Sequence, residues 1–206
     1  MQTYSQIQVQ VGAWSLKNFG AQFTPYLEAH LARNETTDIP LDEVKAVVSP
    51  FHETGMLVAL GSLAPLMGLV EELGELAEAE IASDKEGIRD SCADMAIYMC
   101  DYLCRENLTW PTTPAPRELA THGKESLQAA LGKLYRAHLK RHQRIRGMHN
   151  PGLFHEARST SIMLFVWHLK AYAREVAGED LLILLNEVWN KIVSKRDWNQ
   201  NAKEGA

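Results

Sequence analysis

The sequence predicts an all-α protein, and three observations indicate this class. Apolar residues recur at helical spacing in nearly every segment, and no segment has a credible strand pattern. Residues typical of helix ends separate the periodic segments, with starts marked by Pro65, Asp84 and Glu179-Asp180 and a stop at Gly178. Apolar residues make up 46% of the 206 residues, which is enough for a sizeable core.

The periodicity predicts helices in order along the chain. They cover residues 5–17, 41–48, 56–63, 65–82, 86–106, 118–143, 153–177 and 179–196. The segment WPTTPAP, residues 110–116, cannot continue a helix because proline lacks an amide hydrogen and clashes with the preceding turn. We therefore expect one compact domain built from two halves, residues 1–109 and 118–206, with a linker at 110–117.

Two acidic clusters occupy consecutive predicted helices. The first is LVEELGELAEAE with Glu71, Glu72, Glu75 and Glu78, and the second is IRDSCADMAIYM with Asp90 and Asp94. Like charges on one helical face cost about 0.2–0.5 kcal/mol per pair, and a divalent cation would remove that cost. Carboxylate oxygens are the ligands that Mg²⁺ and Mn²⁺ prefer. An isolated Glu-rich helix is usually a solvated surface, but the second cluster lies on an apolar helix and favours a metal site.

These acids resemble the motif of the MazG-like all-α nucleoside triphosphate pyrophosphohydrolases, EExxE followed by a helix with an acid one turn before an Asp. Glu71, Glu72 and Glu75 match the first half, and Asp94 matches the Asp of the second. The usual second motif is ExxD, whereas Ser91 stands three residues before Asp94, so the ligand role passes to Asp90. Flanking segments are also similar to a MazG-like subgroup: Trp14, Asn18-Phe19-Gly20, Trp189-Asn190 and Lys195-Arg196-Asp197-Trp198.

The resemblance implies a helical bundle that hydrolyses a (deoxy)nucleoside triphosphate to the monophosphate and pyrophosphate with Mg²⁺, or with Mn²⁺. It assigns the metal to Glu72, Glu75, Asp90 and Asp94, and the activation of water to Glu71. It further implies phosphate contacts from Lys195 and Arg196 and base or sugar contacts from Asn190 or Trp198. Two alternatives remain open: a phosphoribosyl-ATP pyrophosphohydrolase, and a noncatalytic helical adaptor whose acidic face binds a basic partner. The sequence identifies neither the base and sugar nor the number of metal ions.

The two halves show internal similarity. LGELAEA at residues 73–79 and LGKLYRA at residues 131–137 share four of seven residues, and IRD is later matched by IRG. A duplication would explain this, and the second copy would have lost its ligands, because Ala129, Ala130 and Lys133 replace Glu71, Glu72 and Glu75. Tandem halves with one intact acidic cluster resemble the dimeric dUTPases of this superfamily.

The second half also contains the densest basic segment, with Lys140, Arg141, Arg144 and Arg146. We expect Arg144 and Arg146 to contact the substrate phosphates. The alternative is an ordinary basic helix end, which the helix dipole favours.

The remaining features concern partners and location. A net charge of −5 argues against nonspecific nucleic-acid binding. The N-terminal MQTYSQIQVQ lacks the character of a signal peptide, and the longest apolar run, residues 55–70, is too short to span a membrane. Cys92, Cys100 and Cys104 show no CxxC spacing, which indicates reduced thiols. We therefore expect a cytoplasmic protein whose partner is the nucleotide, and a homodimer remains open.

Overall fold

The computed structural model describes residues 1–19, 62–114 and 124–191, and within these ranges every regular element is helical. The helices are α1 (Tyr4–Phe19), α2 (Leu63–Ala82), α3 (Lys85–Arg105), α4 (Lys124–His142), α5 (Pro151–Tyr172) and α6 (Leu181–Lys191), and a π-helical turn (Ala173–Ala177) extends α5. The all-α prediction is confirmed for the described residues. The predicted helix at 41–48, most of that at 56–63 and the predicted helical residues 118–123 and 192–196 lie outside them.

Local side chains set the helix ends that the sequence predicted. Asp84 Oδ1 accepts hydrogen bonds from the backbone N–H groups of the second and third residues after it, both at 3.1 Å. At the start of α6, Asp180 Oδ1 accepts one such bond, from Leu182 N at 2.9 Å. Each aspartate thereby satisfies N–H groups that have no partner inside the helix. Gly178 ends the π-helical turn with φ 75°, a left-handed conformation that glycine adopts without steric cost.

The chain divides into two compact units, and each takes segments from both sides of the predicted linker. Apart from Met1, the first unit comprises residues 70–96 and 111–188, and the second comprises residues 2–69, 97–110 and 189–206. Residues 110–114 are not helical, as the prolines predicted. The division of the chain into halves at 110–117 stays a prediction.

Within the second unit, α1 packs against the C-terminal part of α3 and the segment after it. The Gln8 side chain donates to Leu108 O at 2.6 Å and accepts from Trp110 N at 2.8 Å, so both ends of its amide are satisfied. The Trp110 ring stacks on Tyr4 with 4.7 Å between ring centroids. A glycine in α1 permits this close approach, because a Cβ at Gly12 would lie 2.7 Å from a side-chain sulfur of α3.

The first unit contains the acidic residues of α2 and α3, and its apolar core packs these two helices. Apolar side chains from α2 to α6 are buried there: Leu73, Leu76, Ile88, Leu131, Leu134, Phe165, Leu169 and Leu185. The hydroxyl of Tyr172, at the end of α5, donates to Glu80 in the last turns of α2. This buried packing fixes the side of α2 that faces inward and therefore decides which of its glutamates lose contact with water.

Two further expectations concern membranes and cysteines. None of the helices in the described ranges combines the length and apolar character needed to cross a membrane. The three cysteines form no disulfide, and burial raises the pKa of each thiol, that of Cys92 to about 12. These thiols are therefore protonated and weakly nucleophilic at neutral pH.

Candidate carboxylate site

The predicted acids of α2 and α3 differ in their exposure to solvent. Glu72 is buried, with 6% of its surface exposed, and Asp94 is half-buried. Glu71, Glu75 and Asp90 are exposed. Glu72 lies inside because one helical turn places it beside the inward-facing leucines of α2, whereas its neighbours point toward water. The sequence grouped these acids on one helical face and did not predict that one of them is buried.

Acids from both helices raise the pKa of Glu72. Burial is the largest cause of a rise in this pKa from 4.5 to about 8, followed by the charges of Asp94, Glu75, Glu71 and Asp90. The structure thus brings the five predicted residues into one electrostatic group, which we call the carboxylate cluster. In the absence of a cation, Glu72 retains its proton at neutral pH.

The carboxylate cluster fits a metal ion in its donor chemistry but not in its arrangement. Its donors are all carboxylate oxygens, which suit Mg²⁺ or Mn²⁺ and not a soft metal. A cation would also favour the charged form of Glu72, which burial and four neighbouring acids disfavour. In the part of the chain that the structure describes, however, no three Asp, Glu, His or Cys side chains are arranged to hold a metal. The donor chemistry therefore fits the ion, whereas the side chains as they stand do not form a ligand shell.

A cavity adjoins the carboxylate cluster at the start of α3. Its volume is about 370 Å³, and its lining combines residues of α3 and α6: Asp84, Glu86, Gly87, Arg89, Asp90, Leu184, Glu187 and Val188. We call it the Arg89 pocket. Sequence reasoning missed Arg89, although its position directly before Asp90 in IRD was a usable signal. A volume of this size is in the range of small-molecule sites, about 300–1,000 Å³.

A second depression, the glycine groove, lies between α2 and α4. Its volume is also about 370 Å³, and its lining is largely apolar: Val70, Leu73, Gly74, Ala77, Gln128, Leu131, Gly132 and Tyr135. A Cβ added to Gly74 or Gly132 would meet nothing within 4 Å. Close helix packing therefore does not require glycine at either position. Burial raises the pKa of Tyr135, at the edge of this groove, to about 12.

The other predicted site residues are not part of the carboxylate cluster as described. Arg144 and Arg146 are exposed in the turn after α4, with φ of 52° and 56°. Non-glycine residues seldom adopt this left-handed conformation. Asn190 is exposed near the end of α6 and belongs to the second unit. Lys195, Arg196 and Trp198 lie outside the described residues.

No protein-family model, curated protein or solved structure matches the chain. In the described residues, the fold and the site define an all-helical protein in which a buried glutamate, Glu72, feels the charges of four other carboxylates from two consecutive helices. Membership of the MazG-like enzymes stays a prediction, which depends on the acidic motifs and flanking segments of the sequence.

Proposed function

We propose that the protein is a Mg²⁺-dependent pyrophosphohydrolase of (deoxy)nucleoside triphosphates, with the carboxylate cluster as its active site. The observation that carries the proposal is the burial of Glu72 beside Asp94, with three further acids close enough to raise its pKa. A buried carboxylate is costly unless a proton or a cation neutralises it. A cation has a use in this reaction, because its substrate is a triphosphate whose charge must be neutralised before water can attack.

The residues of the cluster divide into ligands and a base. Glu72, Glu75, Asp90 and Asp94 would hold Mg²⁺, and Mn²⁺ would serve in its place. When bound, the ion would supply positive charge to the phosphates and lower the pKa of a water molecule. Glu71 is exposed beside Glu72, and we assign it to orient the attacking water and accept its proton. The water oxygen bonds to phosphorus, the anhydride between the α- and β-phosphates breaks, and pyrophosphate leaves.

We further propose that α2 and α4 are equivalent helices of two related halves in a MazG-like bundle. The lining of the glycine groove supports this, because its positions pair at one constant offset in the sequence: Val70 with Gln128, Leu73 with Leu131, Gly74 with Gly132, and Ala77 with Tyr135. A two-fold relation places the same positions of two copies on a shared surface. The second copy lacks the acids, and its Arg144 and Arg146 would bind substrate phosphate.

A panel of nucleoside triphosphates, assayed with Mg²⁺ for pyrophosphate and monophosphate, tests the proposal. Turnover of one or more of them by the wild type is expected, and Glu72→Gln, which keeps the shape of the side chain, should lose it. Orthophosphate and diphosphate as primary products would contradict the assigned reaction. Phosphoribosyl-ATP belongs in the panel, because preferential cleavage of it would favour that alternative.

Thermal unfolding separates an enzyme from the noncatalytic adaptor. A ligand present at one hundred times its dissociation constant stabilises the folded state by about 2.7 kcal/mol, so a metal site should raise the melting temperature markedly with Mg²⁺. A solvated acidic face that binds a basic partner should respond hardly at all. Glu72→Gln provides the control, since it should abolish the metal-dependent increase.

A further inference from the structure

Arg89 lies in the second turn of α3 and meets three glutamates from different parts of the first unit. Its guanidinium nitrogens are 3.9 Å from Glu86, 3.7 Å from Glu179 and 3.4 Å from Glu187. Well-formed N–H···O bonds measure about 2.7–3.2 Å, so none of these contacts is tight. One quarter of the Arg89 side chain is exposed to solvent. The three glutamates therefore keep the guanidinium near one position without forming short hydrogen bonds to it.

Arg89 also lines the Arg89 pocket, together with Asp90 of the carboxylate cluster. Among the described residues that line this pocket, Arg89 is the basic one, and Asp84, Glu86, Asp90 and Glu187 are acidic. A bare anion would be repelled by this lining. An anion that arrives with a divalent cation would instead be attracted, because the cation would interact with the carboxylates and the anion with Arg89.

We propose that Arg89 binds a phosphate group of the nucleotide in this pocket, exchanging its loose contact with Glu187 for phosphate oxygens. This inference rests on the proposed function, because the carboxylate cluster would bring the nucleotide to the pocket. A guanidinium suits the task, since its planar fork donates two parallel hydrogen bonds to a phosphate. Before substrate binds, the glutamates orient the guanidinium of Arg89. When the nucleotide arrives, its phosphate competes with Glu187 for Arg89.

The competition gives two substitutions opposite effects. Arg89→Ala removes a charge-assisted contact and should raise KM about ten- to a hundredfold with little change in kcat. Glu187→Gln removes the competing charge, so KM should stay level or fall. If Arg89 only ties α3 to α6, both variants should lower the melting temperature to a similar extent and neither should change KM relative to the wild type.

Two controls accompany these variants. Arg174→Ala removes another arginine that pairs with a carboxylate, at 3.5 Å from Asp180, but its side chain is 73% exposed and does not line the pocket. Its KM should equal that of the wild type. Arg89→Lys keeps the positive charge without the planar fork, so it should fold even if Arg89→Ala does not. A KM raised in Arg89→Ala and partly restored in Arg89→Lys supports phosphate binding, and an unchanged KM in every folded variant at this position overturns it.

Calorimetry with a non-hydrolysable triphosphate analogue and Mg²⁺ distinguishes failure of this inference from failure of the proposed function. If the wild type turns over nucleotides and Arg89→Ala binds the analogue as tightly as the wild type, the Arg89 assignment is wrong and the function stands. If the wild type binds the analogue through Arg89 but turns over no nucleotide, the function is wrong and the assignment stands. Absence of both binding and turnover in the wild type overturns both.

Discussion

Glu72 makes the stability of the metal-free protein depend on pH. Its folded-state pKa is about 8 against an ordinary 4.5, so between these values the folded state holds a proton that the unfolded state has lost. Stability therefore falls as pH rises through this window, by about 1.4 kcal/mol per pH unit at most. In chelator, the melting temperature of the wild type should fall between pH 5 and 8 by up to about 3–6 °C per pH unit more than that of Glu72→Gln. If the melting temperatures of the two proteins change equally with pH, the pKa of Glu72 is not raised in the folded state.

A second prediction at this scale separates chemistry from folding. Glu75→Ala and Asp94→Ala should each abolish turnover, because each removes a proposed metal ligand. Both changes also remove a charge that raises the pKa of Glu72, so the melting temperature without metal should stay level or rise slightly. Circular dichroism checks the fold. An unfolded Asp94→Ala protein would identify this half-buried residue as structural.

At the scale of the helix, the glycine groove predicts that two glycines can be replaced. Gly74 and Gly132 lie inside helices, where alanine is more stable by about 0.5–1 kcal/mol, and a Cβ at either position has open space. Gly74→Ala and Gly132→Ala should therefore each raise the melting temperature by a few degrees.

Gly68→Ala provides the matched control in the same helix as Gly74. A Cβ at Gly68 would overlap the ring of Tyr98, so this variant should melt lower than the wild type. If Gly74→Ala is stabilising but lowers activity, the groove takes part in function. Destabilisation by both Gly74→Ala and Gly132→Ala would contradict the open space at these positions.

At the scale of the whole molecule, the two halves of the chain should play unequal parts. The second half has Ala129, Ala130 and Lys133 where the first has Glu71, Glu72 and Glu75, so it should bind substrate but no catalytic metal. Replacing both Arg144 and Arg146 with Ala should raise KM, since each charged contact is worth about 1.5–3 kcal/mol when well formed. The left-handed backbone at these two positions costs alanine no more free energy than it costs arginine, so the double variant should fold.

Arg136→Ala is the control for that experiment, because Arg136 is an exposed arginine of α4. Its KM should match that of the wild type. If KM and kcat of the Arg144/Arg146 double variant are both unchanged, this segment is an ordinary basic helix end. Titration with Mn²⁺ should in addition show one metal cluster per chain, and two equivalent clusters would contradict the assignment of unequal halves.

The sequence by itself determined the features that depend on neighbouring residues. Helical periodicity, the capping of α3 by Asp84 and of α6 by Asp180, and the end at Gly178 arise from contacts within a few residues, so they could be predicted. The pairing of acids within α2 and within α3 is likewise a matter of helical spacing.

Tertiary structure alone decided which of these acids is buried and which residues stand beside them. Glu72 gains its raised pKa from burial and from charges on another helix, and no spacing within α2 contains that information. Arg89 pairs with Glu179 and Glu187, which lie 90 and 98 residues further along the chain. Such neighbours depend on how distant helices pack, and packing is set by the whole apolar core and not by any local motif.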